Sequence, residues 1–532
     1  MKQEIKLKDF VFGKTDAKNE LLENSEEVSE SFLHNFLMPE NVEIDEFINY
    51  KRFFILGFKG IGKTALLHYL DLRIRQSNPN AASQFILFKS DLDDIGIVNA
   101  GVASNGIVVN KNNDSRGEEI KYQWVWRWLL HRQLVILAEK ELKKNSPIFT
   151  ENKQWSDYCA CVMALNRENS IWDYLIPKVK KGKVQIQGDI KFLKATFGLE
   201  IERDSNDKEK VDFNGIVQLA DKLLKELTPT GRDVYIFIDE LEVSYSTKKQ
   251  YERDILLIRD LIISIYKFYQ DLRQLKYPIR IIASVRSEIQ NAIDAVGKEI
   301  NKPLFDFGVI LKWQQSGGQV DSHPLIKMIN KRINTSERNL NLPESNSNEI
   351  WKKYFPPFIN NQDTKEYILR RTWYRPRDIV RLLNLGRSQY PNEQKFTHQV
   401  FDGINKEYSS QSWSEMTEEL AASYSKEEID GIKQLLRGLP YAFTFEEIKE
   451  RSNQHRNIYH NLDSLLKKHD LVNILEKLYT LGIIGNTGDN VRYSFRGDDG
   501  LILTNKMKIH DPLWNYLAVE RRKDRQLYHY NW

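Results

Sequence analysis

Apolar residues along the chain fall into two rhythms. Short, mostly apolar runs stand at Phe53-Phe54-Ile55-Leu56, Gln84-Phe85-Ile86-Leu87-Phe88, Val234-Tyr235-Ile236-Phe237-Ile238 and Ile279-Arg280-Ile281-Ile282-Ala283-Ser284-Val285. Runs of this length, with no polar alternation, fit strands covered on both faces in a parallel sheet. A fifth run, Phe305 to Leu311, reads as a further core strand. Between them the spacing turns helical. Ala65 to Leu70 continues the first strand after a turn, Trp124, Trp128, Val135 and Leu142 mark one face of a helix over 121–142, and Ile255 to Leu272 is another. Strand–helix alternation of this kind predicts an α/β core. Past Pro324 the pattern is helical to about residue 425. Residues 427–518 then place helices near Lys426–Leu436, Thr444–Arg451 and Leu471–Leu481 before strands at Ile483-Ile484 and Val491–Phe495. Between those strands, Gly485 to Asn490 reads as a wing turn.

Two of the core runs end in residues that carry chemistry. Gly57 to Thr64 fits G-x-x-x-x-G-K-[ST] between the strand and helix that this pattern requires. Gly57, Gly60 and Gly62 let the backbone bring its N–H groups against phosphate, and Lys63, Thr64 and Ala65 open a helix whose positive end faces the same anion. Lys63 is placed to reach the outer phosphates, and Thr64 to ligate Mg2+. The run 234–238 ends in Asp239-Glu240. Asp239 is expected in the sphere of the same cation, and Glu240 is expected to orient or deprotonate water. A commonplace strand edge also ends in acids; the preceding phosphate loop is what makes this pair informative.

The remaining features narrow the picture. The 532 residues carry a net charge of +4, so no global basic character points to nucleic acid. Cys159 and Cys161 lack a second ligand pair nearby and read as free thiols. No apolar run has transmembrane length, no signal-like core follows Met1, and a cytoplasmic protein without a membrane partner is expected. Asp91 and Asp93 are secondary acids near the nucleotide, and the glycine- and asparagine-rich stretch 97–118 reads as a loop. The segment 145–210 is an insertion in which 184–190 and 196–202 alternate as a β-ribbon, with lysines from Lys178 to Lys194. A solvated ribbon explains those lysines more simply than a nucleic-acid contact.

The order of phosphate loop, strand ending Asp-Glu and strand ending Ser284-x-Arg286 resembles the AAA+ and STAND ATPases. That resemblance assigns the γ-phosphate-reading sensor to Arg286, with Ser284 as runner-up. It also likens Arg375-Pro376-Arg377 to the start of a lid helix whose arginine touches the γ-phosphate, with Arg377 in that role and Arg375 the alternative. Pro376 suits the first helical turn, while the glycine usual before it in the family is absent. Arg370 and Arg371 read either as basic lid surface or as arginines acting on a neighbouring subunit. The implied fold is an α/β P-loop NTPase, AAA+/STAND-like, with a parallel-sheet core, a helical lid and a C-terminal winged-helix domain, as in origin-recognition-type ATPases. Its expected divisions are an N-terminal segment 1–50 lying over the base, a core 51–315, a lid with connecting helix 316–425 and a winged helix 426–532. The layout also resembles bacterial ATPases encoded beside effectors in anti-phage defence. The function so implied is ATP binding and Mg2+-dependent hydrolysis that drives a conformational or oligomerisation switch, with a homo-oligomer, a separate effector or both as partners. The alternative is a DNA-binding loader or remodeller using Lys467, Lys468, Lys477 or Arg492 of the winged helix. A nucleotide-binding pseudo-enzyme is less favoured, since Lys63, Asp239 and Glu240 are all present.

Overall fold

The computed structural model describes residues 4–23, 25–87, 122–163, 179–180, 183–185, 201–203, 209–241, 248–287, 300–313, 320–421, 423–487, 492–494, 501–514 and 516–517. Its centre is a five-stranded parallel sheet of β1 (Phe54–Gly57), β2 (Ala82–Leu87), β3 (Val234–Asp239), β4 (Ile279–Arg286) and β5 (Gly308–Ile310). The spatial order is β2-β3-β4-β1-β5. Every residue of β1 and β3 is buried, as their unbroken apolar runs require. The fifth strand is shorter than its run predicts. Asn301–Phe307 is helical, and Gly308–Ile310 alone pairs with β1.

Register sets what emerges at the carboxyl edge. Gly57 lies opposite Arg286, and Ile238 opposite Ala283, so Asp239 follows beside Ser284. Placing β4 between β1 and β3 thus brings the loop after β1, the acids after β3 and the polar end of β4 to one edge. In open α/β sheets that edge is where ligands bind.

Helices cover both faces. Tryptophans and leucines of α4 (Gln123–Leu142) and the apolar positions of α5 (Lys248–Gln274) join β3 and β4 in the largest cluster. Trp126 and Trp128 are core residues within it, and the Trp126 indole N–H donates to Leu257 O at 2.8 Å. Across the sheet, Leu66, Leu67, Leu70 and Ile74 of α3 (Lys63–Ser77) pack with Tyr235 and Phe237. The earlier helices are α1 (Ala17–Glu20), capped by the Asp16 carboxylate, and α2 (Glu26–Asn35), capped by Ser25 with Glu26 and Glu27 turned outward.

The N-terminal segment does not stand apart. Ile5, Leu7, Phe10 and Phe12 share a cluster with α6 (Pro324–Asn339), α7 (Pro376–Gln389) and the first half of α8 (His398–Leu420). A third cluster is formed by α9 (Lys426–Leu436), α10 (Phe445–His455), α11 (His460–Lys468) and α12 (Leu471–Thr480), with a small antiparallel sheet of β6 (Ala442–Phe443), β7 (Ile484–Asn486) and β8 (Met507–Ile509) in the order β6-β8-β7. Helices and strands in this sequence give the C-terminal unit a winged-helix layout. Two corrections arise. Helix α11 stands between the second and third expected helices. Of the strand expected over 491–495, the described residues 492–494 contribute a bridge from Arg492 to Asn486, and Met507–Ile509 pairs along Ile484–Asn486 in the sheet.

In the insertion, the described strands Val179–Lys180, Lys183–Gln185, Ile201–Arg203 and Glu209–Asp212 form an antiparallel sheet. Lys183–Gln185 and Ile201–Arg203 do not pair with each other as expected; Glu209–Asp212 lies between them. All of 186–200, together with Asp91, Asp93 and the loop 97–118, falls outside the described residues. No described helix is long and apolar enough to cross a membrane. Cys159 and Cys161 are free thiols, and burial pushes the Cys161 thiol up to about 12.

Candidate functional site

The carboxyl edge of the sheet opens into a cavity of about 480 Å³. Gly60, Gly62, Lys63, Thr64 and Ala65 line it from the first loop, Asp239 and Glu240 from β3, Ser284 and Arg286 from β4, and Arg377 from α7. Of the described candidates, Gly60, Gly62, Lys63, Thr64, Ala65, Asp239, Glu240, Ser284, Arg286 and Arg377 meet on one cavity; Gly57 at the end of β1 and the alternative Arg375 do not line it, and Asp91 and Asp93 lie outside the described residues.

The loop is shaped by what crosses it. Gly60 has φ +77°, and a Cβ there would lie 3.4 Å from the Arg377 Cβ, so the lid helix rests directly on the loop backbone. The Arg377 N–H donates to Gly60 O at 3.4 Å, and its guanidinium Nε donates to Thr15 O at 3.3 Å. The Lys63 ammonium donates to Gly57 O at 2.8 Å and Phe58 O at 3.0 Å. These neutral acceptors hold the ammonium beside the helix N-terminus, where an anion would meet both.

Asp239 is buried. Its Oδ1 accepts a hydrogen bond from the Ser284 hydroxyl, while Oδ2 has no hydrogen-bond partner among the described residues. A buried carboxylate oxygen without a partner is costly, and a hard cation would satisfy it. Thr64 and Asp239 line the same cavity, so the residues present fit Mg2+. Glu240 leaves the strand with φ 59°, a left-handed backbone uncommon outside glycine. Its Oε1 lies 2.5 Å from the Lys18 ammonium on α1. Hydrogen bonding to Glu240 is the main reason the Lys18 pKa is raised. Nothing in the local sequence signals that contact, because the partners lie 222 positions apart.

The lid arginines separate cleanly. Pro376 occupies the first turn of α7 with Arg375 as its N-cap. Arg377 lines the cavity and Arg375 does not; Arg375 is buried against Glu419 at 3.0 Å. Glu415 of α8 faces Lys59 of the loop at 3.6 Å, Arg377 at 3.7 Å and Arg381 at 3.6 Å. Burial pushes its carboxyl up, but these three cations together with Arg375 outweigh that and hold it below the usual range. Arg371 is buried beneath Tyr367 and Tyr408 and bonded to Asn405, so it is not exposed lid surface. Arg370 pairs with Glu366 on its own helix.

The N-terminal segment, expected as a whole to lie over the base, lines the cavity with Lys14, Asp16, Lys18 and Glu20; these residues, Phe32 and Phe36 of α2 and its exit, and Arg332 of α6 were not singled out as site residues. Among them the acids and bases carry no motif. The two phenylalanines have the helical spacing of ordinary core residues.

The turn before α7 ties the cavity to the C-terminal unit. Trp373 and Tyr374 both have left-handed backbones, φ 49° and 53°. The Trp373 ring packs in the C-terminal cluster, lies tilted against His510 with centroids 4.4 Å apart and donates its indole N–H to Gly482 O at 3.0 Å.

Against known proteins, residues 323–417 match the family model of the FunZ-associated C-terminal helical domain. Among solved structures, the chain is similar to the Aeropyrum pernix ORC1 protein in complex with DNA, at 11% identity over 92% of this chain and 95% of that one, with a TM-score of 0.34. It is also similar to the Aeropyrum pernix ORC2 protein with ADPNP and ADP, at 10% identity over 87% and 93%, with a TM-score of 0.37. A comparison with curated proteins finds no match. The α/β fold with a phosphate-type loop at the sheet's carboxyl edge is described from the strand order and the loop geometry rather than from these likenesses.

Proposed function

We propose that the chain is a Mg2+-dependent ATPase acting as a nucleotide-driven switch on a partner, by oligomerising or by changing its lid angle. One observation carries this reading: a single cavity gathers the phosphate loop, the Asp239–Glu240 pair and a lid arginine whose preceding turn is anchored in the C-terminal unit. Lys63 and the N-terminus of α3 would bind the outer phosphates, and Thr64 and Asp239 would hold Mg2+, which supplies charge neutralisation at those phosphates. Glu240 would accept a proton from attacking water, and Arg286 and Arg377 would stabilise charge on the transferring group. Because Arg377 touches Gly60 and follows the Trp373–Tyr374 turn, contacts that differ between nucleotide states would be felt at the C-terminal unit. The anti-phage setting and a separate effector are proposed from the layout's resemblance alone.

The winged helix favours packing over DNA. The outward face of α12 shows Val472, Asn473, Glu476 and Thr480, and Lys467 and Lys468 pair with Asp463 and Glu428. The test is ATP turnover by the protein and its Glu240→Gln variant, with and without duplex DNA, alongside mass in solution. Slow turnover indifferent to DNA, with the variant gathering into a larger assembly in ATP, is the expected result. Turnover stimulated by DNA and steeply weakened by salt would replace the switch with the loader or remodeller.

A further inference from the structure

One charged group in the cavity is used by none of the chemistry above. Arg332, on α6, lines the same cavity, yet its Nε and Nη1 are shut off from solvent and have no hydrogen-bond partner among the described residues. Elsewhere in the lid, the described arginines near the cavity have their acids: Arg375 has Glu419, and Arg381 has Asp378. A guanidinium with buried, unsatisfied donors is expensive unless something polar meets it.

Its surroundings say what. The guanidinium is seated against the backbone of Gly13, where φ is +80°; a Cβ at that position would fall 2.2 Å from Arg332 Nη1 and 2.5 Å from Glu20 Oε2. The absence of a side chain at Gly13 thus lets a fork of donors and a carboxylate come together. Glu20 also lines the cavity and is held by the Lys14 N–H at 3.1 Å. Burial draws the Arg332 guanidinium below its usual pKa, and Glu20 is the one acid opposing that shift. Phe32 and Phe36 supply apolar surface beside them. Position along the helices separates this group from the phosphate end. Phe36 stacks on Tyr69, six residues into α3 from Lys63 and so about 9 Å along its axis. Gly13 O accepts from Asn384, seven residues along α7 from Arg377. A nucleoside triphosphate seated on Lys63 would carry its base toward this end.

We propose that Arg332 and Glu20 form the base-reading pair of the cavity, selecting adenine. This rests on the nucleotide-binding reading above. Adenine presents an N7 acceptor beside the N6 amino donor, which complements a guanidinium next to a carboxylate, with the ring lying against the phenylalanines. Guanine places two acceptors, N7 and O6, on that edge, so one of them faces the Glu20 carboxylate. Rejection then arises from a mismatched buried polar group rather than from size.

The experiment is calorimetric titration of the full chain with ATP, GTP and inorganic tripolyphosphate, for the protein and for Arg332→Met and Glu20→Gln. Methionine keeps much of the volume and removes a buried charge, and circular dichroism checks each variant's fold. Expected results are ATP bound at least about tenfold more tightly than GTP, and a roughly 10- to 100-fold loss of ATP affinity in Arg332→Met with tripolyphosphate affinity unchanged. Glu20→Gln, whose amide also donates, should narrow the ATP-to-GTP ratio. The inference is overturned if Arg332→Met binds ATP as well as the parent does, or if tripolyphosphate affinity falls with it, which would make Arg332 a phosphate contact. A parent protein that binds neither ATP nor tripolyphosphate would instead sink the nucleotide-site reading itself.

Discussion

Lys18 offers the sharpest test of how Glu240 is held. The two side chains meet at 2.5 Å with 34% and 20% of their surfaces exposed. At that exposure the pair is worth at most about 1 kcal/mol, so the cost of breaking it is about fivefold in population. If Glu240 must leave Lys18 to take a proton from water, Lys18→Ala should raise turnover at saturating ATP by up to about fivefold. Glu240→Gln should lower turnover by about 10²- to 10⁴-fold while leaving ATP affinity within a small factor. In the Glu240→Gln background, Lys18→Ala should then change nothing, because the group it restrained is gone. The two substitutions together should be as slow as Glu240→Gln alone.

The pH dependence has a definite sign. Lys18 has a raised folded pKa, so its contribution is complete below the unfolded value of 10.5 and disappears only as pH climbs through the higher folded one. The rate ratio of Lys18→Ala to parent should accordingly stay flat from about pH 6 to about pH 9. Phosphate release, measured for all four proteins, reads the cycle directly. A drop in turnover for Lys18→Ala in the parent background would refute the restraint and make Lys18 a group that assists the reaction.

Three further outcomes follow from the same geometry. Asp239→Asn should leave binding of metal-free ATP nearly intact and weaken the Mg2+ dependence of turnover by at least about tenfold, read by titrating Mg2+ at fixed ATP; an unchanged Mg2+ profile would remove Asp239 from the cation's sphere. Trp373→Ala empties a fully buried site and deletes the bond to Gly482, so the C-terminal unit should lose about 3–5 kcal/mol in urea unfolding, and a loss under about 1 kcal/mol would mean that Trp373 does not anchor it. His510 is held neutral by burial, its pKa lowered to about 3, so the unfolded chain binds the extra proton first as pH falls. Stability should therefore fall by about 1.4 kcal/mol per unit below about pH 6.5 until about pH 3, and His510→Gln should remove that slope, as measured by urea midpoints across the range.

The core and much of the cavity could be read from the sequence because their signals are local. Phe53–Leu56 and Val234–Ile238 are continuous apolar runs, and the residues that matter sit at their immediate ends. Pro376 likewise fixes where α7 begins, and with it which arginine faces the loop. What escaped depends on partners far along the chain. Glu240 meets Lys18, Asp239 meets Ser284, and Gly13 accommodates Arg332; no periodicity connects the members of these pairs. The second wing strand differs from its expected place for a related reason. Val491–Phe495 has strand-like residues, yet the sheet recruits Met507–Ile509 through contacts with both Ala442–Phe443 and Ile484–Asn486, and tertiary pairing overrides local preference there. The N-terminal segment shows the same principle at its most consequential. Its apolar residues Leu7, Phe10 and Phe12 are fastened into the lid cluster, while Lys18 one helix later reaches the acid at the end of β3. Under the proposed switch, a segment tied to this cluster and touching Glu240 would carry lid movement to the acid. On that reading Lys18, beside Arg377, is where lid position would meet hydrolysis, and Trp373→Ala should change the rate effect of Lys18→Ala as well as the stability.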